Sequence, residues 1–182
     1  MLLLLRDEDL TTVASVITAI ALQNGLETVD PDNEPQDILS LAAMLVGPRV
    51  VLVAGDDFVI ASALESLDIG DVGDLGQALS SACGNEVVAI APTGDGIRVL
   101  VFDDGELDED VAVNLSPSGK TSSAALAEIA PTEEAAAELT SGLSVLNAIE
   151  LAERVLALFG APPERYRGEP TTLSFRAPEI AT

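Results

Sequence analysis

Five apolar runs of five or six residues constrain this chain more than any other feature: Met1–Leu5, Arg49–Ala54, Glu86–Ala91, Ile97–Phe102 and Asp110–Leu115. Runs of that length suit strands and are too short for helices that bury a face over several turns. Pro92-Thr93-Gly94-Asp95-Gly96 lies between the third and fourth runs, and Asp103-Asp104-Gly105-Glu106 follows the fourth. Both are turn sequences, so residues of about 86–115 form an expected antiparallel meander.

Between these runs the apolar period lengthens. Leu10, Val13, Ile17 and Ile20 recur at three and four, with Asp7 or Asp9 placed to cap the first turn and Asn24-Gly25 to end it. Asp30–Pro35 has the composition of a loop, and Ile38, Leu41, Ala42 and Leu45 outline a second helix stopped at Gly47-Pro48. Phe58–Leu67 is assigned to a helix, with a hairpin left open by the β-branched Val59 and Ile60. Asp68–Gly76, with a glycine at every third position, reads as a loop before a helix near Leu75–Cys83. Pro131-Thr132-Glu133-Glu134 opens a helix that Gly142 interrupts. Leu143–Phe159 is the longest expected helix, with Leu146, Ile149, Ala152, Leu156 and Phe159 on one face and a Glu150–Arg154 pair on the other.

The resulting fold class is α/β (α+β): a central mixed sheet of about five strands, including the meander, packed by four to six helices. Residues 1–163 are expected to form one domain and 164–182 a proline-spaced C-terminal tail, with Leu173-Ser174-Phe175 as an edge strand. A chain of 182 residues can bury roughly 70% of its unfolded surface, so the core needs neither disulfides nor metals. Leu2–Leu10 and Val50–Phe58 echo each other as apolar strand followed by acids, which is how strand-to-helix turns ordinarily look.

Composition removes several chemistries. There is no histidine and only one cysteine, Cys83, so histidine triads, imidazole metal sites, cysteine zinc sites and disulfide scaffolds are excluded. Cys83, near a helix C-terminus with no neighbouring base in sequence, is expected to be a buried, unreactive thiol. Thirty-one acids stand against seven arginines and one lysine, for a formal charge of -23. That surface repels phosphate backbones and anionic membranes, so neither direct nucleic-acid binding nor membrane insertion is expected. Leu10–Leu26 is uncharged but carries three threonines, a serine, Gln23 and Asn24, as a core helix does. Met1–Leu5 lacks the basic leader of a signal peptide, and with a lone thiol this points to the cytoplasm.

Asn114-Leu115-Ser116-Pro117-Ser118-Gly119-Lys120-Thr121 follows an expected strand and precedes a helix-compatible run. It resembles the phosphate-binding loop of P-loop NTPases, G-x-x-x-x-G-K-[ST], with Asn114 in place of the first glycine. The resemblance implies that Gly119, Lys120 and Thr121 would meet phosphate and magnesium, with Asp103-Asp104 resembling the family's acidic strand end. Here the acidic strand comes first and in a hairpin, so the segment also reads as a polar turn.

The remaining polar clusters are less specific. Gly70–Gly76 lacks the G-x-G-x-x-G spacing. Asp30, Asp32 and Glu34 lack the glycine and distal glutamate of a calcium loop, and no tryptophan is present to stack a sugar. No cofactor or metal is therefore assigned. Asp103, Asp104, Glu106, Asp108, Glu109 and Asp110 form either a recognition surface or a solvated hairpin. Arg165, Tyr166 and Arg167, with Arg176 and Phe175, form either a docking segment or a strap whose arginines pair with the chain's own acids. These features suggest a non-catalytic acidic protein of inhibitor, immunity, chaperone or adaptor type that meets a basic partner protein. A nucleotide-binding protein using the loop at 114–121 and a DNA mimic are the alternatives.

Overall fold

The computed structural model describes residues 1–29, 49–63 and 72–176. The expected loop at Asp30–Pro35, the helix around Ile38–Leu45 and the start of the 68–76 loop lie outside the described residues, as do the acids Asp30, Asp32 and Glu34. Ten strands and five α-helices occur among those described. In chain order they are β1 (Leu2–Arg6), α1 (Leu10–Gln23), β2 (Glu27–Thr28), β3 (Arg49–Ala54), β4 (Phe58–Ala63), α2 (Val72–Cys83), β5 (Val87–Pro92), β6 (Gly96–Asp103) and β7 (Glu106–Asn114). Then follow β8 (Lys120–Thr121), α3 (Ala124–Glu128), α4 (Glu133–Ser141), β9 (Leu143–Ser144), α5 (Ala148–Leu158), a 3-10 turn (Pro163–Arg165) and β10 (Arg167–Arg176).

Eight strands form one sheet in the order β2-β10-β3-β4-β1-β5-β6-β7, and β8 pairs with β9 apart from it. The class is the expected mixed α/β one. The sheet is larger than about five strands, and its pairings are antiparallel throughout rather than mixed. β1 is central, between β4 and β5. Its leucines explain why: Leu4 enters the core under α5, while Leu3 and Leu5 enter the core under α1 and α2. A strand covered on both faces has no polar side to show, so it reads as a continuous apolar run. Each such fully buried leucine contributes about 1.5–3 kcal/mol relative to exposure.

The meander over β5–β7 is present with the two expected turns. Asp9 caps α1, its carboxylate accepting from the Thr11 and Thr12 amides, and Thr132 caps α4 through Ala135. Four expectations are corrected. Phe58–Ala63 is a strand, hairpinned to β3 and also paired with β1, because Val59 and Ala61 fill one core while Phe58 and Ile60 fill the other. The echo between Leu2–Leu10 and Val50–Phe58 is therefore not two strand-to-helix turns, since one is strand–helix and the other strand–strand.

Val72–Gly76, assigned to a loop, is the start of α2. The helix expected from Leu143 begins only at Ala148, where Asn147 accepts from the Glu150 amide and the Glu150 carboxylate accepts from the Leu146 amide. Its buried face is Leu151, Ala152, Val155 and Leu156, leaving Leu146 and Ile149 in solvent, and Arg154 pairs with Glu138 rather than Glu150. Finally, Leu173-Ser174-Phe175 is part of a ten-residue strand lying inside the sheet, between β2 and β3.

Candidate functional site

The acidic hairpin is built from the end of β6, a two-residue turn and the start of β7. Asp104 and Gly105 both take positive φ, 47° and 80°, the conformation that tight hairpin turns require and that Asp and Gly supply. The turn is fastened to α2. The buried Ser80 hydroxyl accepts from the Gly105 amide at 3.1 Å and donates to the Asn85 carbonyl, while Gln77 donates to the Gly105 carbonyl at 2.9 Å. Asp103, Asp104 and Glu106 thus project from a fixed point. Beyond them, Asp108 is the extra residue of a bulge, for Val101 faces Glu109 and Phe102 faces Leu107.

Asp110 lies on the α1/α2 side, opposite Leu100, and Arg98 grips it with two hydrogen bonds of 2.9 and 2.8 Å. That guanidinium holds the Asp110 carboxyl below the ordinary carboxylate range. The other five acids of the hairpin have no ion pair among the described residues.

The C-terminal arginines are engaged within the chain. Arg167 binds Asp56 through two bonds of 3.0 Å, Arg165 binds Asp57 and the Gly160 carbonyl, and Arg176 binds Glu27. Arg165 also lies 5.5 Å from the centre of the Phe58 ring, which meets Tyr166 edge-to-face at 6.2 Å. Burial, then Glu153 and Glu164, push the Tyr166 phenol above its ordinary range. Arg165 and Arg167 thus fasten the segment after α5 to the β3–β4 turn.

At the same end of the sheet two sockets, of about 230 and 240 Å³, share Arg6, Pro131 and Phe159 as a common wall. Arg6 ends the central strand and stays between them, donating to the Phe159 carbonyl at 3.0 Å and pairing with Glu86 at 3.0 Å. One socket is lined by Leu4, Asp7, Asp57, Phe58, Leu158 and Arg165, the other by Glu86, Val88, Val101, Asp108, Glu109 and Ile129. Antiparallel pairing makes this grouping, since the end of β1, the start of β4 and the β6–β7 turn fall at one end.

Two clusters that are remote in sequence, Arg165 and Asp108/Glu109, thereby border two adjoining sockets whose walls carry Arg6 and Arg165 as well as acids. Asp7, Asp57, Glu86 and Arg6 escape sequence reasoning. Their only signal is position, each standing at a strand end or tight turn. No cluster of metal-ligating side chains occurs among the described residues.

Gly119, Lys120 and Thr121 lie elsewhere. β7 leads from the hairpin turn to Asn114, so Asp103 and Asn114 are separated by about 25 Å of strand. Lys120 and Thr121 form β8 against β9 instead of opening a helix. The Thr121 hydroxyl is buried and accepts from the Ser116 amide at 3.0 Å. The segment is a turn into a two-stranded ribbon, and the short α3 starts only after Ser123. Compared with protein-family models, curated proteins and solved structures, the chain matches none. No described helix is long and apolar enough to cross a membrane.

Proposed function

We propose that this chain is a non-catalytic binding protein that meets a basic surface of another protein, as inhibitors, immunity proteins, secretion chaperones and adaptors do. One observation carries the reading. Among the described residues six arginines each hold an acid of the chain itself, whereas Asp103, Asp104, Glu106, Asp108 and Glu109 stand on a fastened hairpin with no ion pair. Fixed carboxylates without an ion pair among the described residues favour a cationic partner and speed its encounter. The same charge opposes contact with nucleic acid. The lone thiol favours a reducing cytoplasm as the setting.

The test is co-purification at low salt from the source cells, followed by association kinetics at rising salt. A basic protein should be recovered, and its association should slow with salt and with the combined substitutions Asp103→Asn, Asp104→Asn, Asp108→Asn and Asp110→Asn. Affinity that neither salt nor these substitutions change defeats the reading. A DNA mimic is recognised in the same experiment by a DNA-binding partner whose DNA the chain displaces. For the nucleotide alternative, calorimetry with ATP and magnesium is expected to show no heat. A dissociation constant below about 100 μM, abolished by Lys120→Ala, would establish that alternative instead.

A further inference from the structure

Among the described residues β7 is one of the two edges of the sheet. It is nine residues long, its inner side is paired with β6, and no described strand pairs with its outer side. An open edge presents main-chain donors and acceptors that can template another strand. From Glu109 to Asn114 the ladder with β6 runs without a break. The Leu115 amide donates inward to Asp95 at 2.7 Å. The alternation of an antiparallel strand then turns the amides of Asn114, Ala112 and Asp110 outward.

The charge on the edge selects what can pair there. A second copy of β7 laid alongside in parallel would set its acids about 5 Å from these, which like charges disfavour, whereas an antiparallel copy would set them opposite Val111–Asn114 and is distinguished by the test below. An extended cationic strand meets the opposite sign at Glu106, Asp108 and Glu109. It also finds an apolar contact, because Leu107 is 51% exposed.

The geometry points to β7 as the acceptor of an extended, cationic segment of another protein, added as a ninth strand of the sheet. Main-chain pairing to Asp110, Ala112 and Asn114 supplies the register, and the acids of β7 supply the preference for lysine and arginine. This rests on the basic-partner reading and adds the form of the ligand: a strand rather than a folded surface.

The probe is a capped peptide of alternating lysine and valine, as long as β7. It is compared with the same peptide N-methylated at alternate main-chain nitrogens, and with a glutamate–valine peptide. Affinity and amide exchange are followed by NMR on the full chain at low salt. The lysine–valine peptide should bind and slow exchange at Asp110, Ala112 and Asn114 by about tenfold or more at saturation. N-methylation should weaken binding by about tenfold or more, through lost main-chain hydrogen bonds. The glutamate–valine peptide should not bind, and Glu106→Gln with Asp108→Asn and Glu109→Gln should weaken the lysine peptide.

Equal binding by the N-methylated peptide overturns strand addition while leaving a basic partner in place. Failure of both cationic peptides to bind overturns strand addition and leaves the basic-partner reading to the salt series on the recovered partner. Sedimentation showing a dimer formed through β7 in the absence of peptide gives the edge to a second copy and overturns the proposal.

Discussion

At Gly96 a β-carbon would stand 1.9 Å from the carbonyl oxygen of Val113, which is main chain and cannot swing aside. The β6–β7 ladder that carries the acidic strand therefore depends on a hydrogen atom at this position. Gly96→Ala is expected to cost about 2–4 kcal/mol, read as a lower urea midpoint at unchanged slope. Cys83 is a milder case. Sequence position predicts a buried thiol, whereas the residue is half-buried at the end of α2. Burial first, then the charge and hydrogen bond of Glu8, push its pKa above the ordinary thiol range. The thiolate is thus scarcer at neutral pH than in a free cysteine. Alkylation followed by mass spectrometry should be slow at pH 7 and accelerate only at more alkaline pH, with Glu8→Gln partly restoring the rate. Fast labelling at pH 7 would contradict this.

Among the elements, α5 separates periodicity from burial. Leu146 and Ile149 continue an apolar period into the helix but are 89% and 64% exposed, while Leu151 is 1% exposed. The Asn147 cap decides the matter by starting the helix after Leu146 and setting which residues face the sheet. Leu151→Ala should cost about 2–5 kcal/mol and Leu146→Ser less than about 0.5 kcal/mol in the same denaturation assay. β4 presents the opposite problem. Its six residues carry no long period, and pairing with β1 and β3 turned an ambiguous segment into a strand. The acidic turn was legible from Asp103-Asp104-Gly105-Glu106, but the Ser80 and Gln77 bonds that fasten it come from a helix more than twenty residues earlier.

For the whole molecule, charge opposes compactness. A formal charge of -23 on one chain is self-repulsive, and salt screens it within about a Debye length. Stability should rise between low and near-physiological salt, on the order of 1 kcal/mol or a few degrees in Tm. Partner binding should weaken over the same range, chiefly through slower association. Folding that gains from salt while binding is indifferent to it would mean that the acids serve solubility alone. Thermal melts and stopped-flow mixing in one salt series distinguish the cases.

Strand positions β1, β3 and β5–β7, the hairpin turns, the Asp9 and Thr132 caps and the acidity were all written in the sequence, because each depends on residues a few positions apart. Strand order was not. β1 pairs with β4 and β5, which follow it by more than fifty residues. Main-chain hydrogen bonding is indifferent to sequence, so only burial on both faces decides which strands become neighbours. The same folding joined Arg165 to Asp57, Arg167 to Asp56, and Arg6 to Glu86. It turned a tail of arginines into a strap and left the β6–β7 hairpin with most of its acids free of ion pairs among the described residues. Which charges remain exposed to a partner follows from distances in the folded chain, and those distances arise only when the sheet closes around β1.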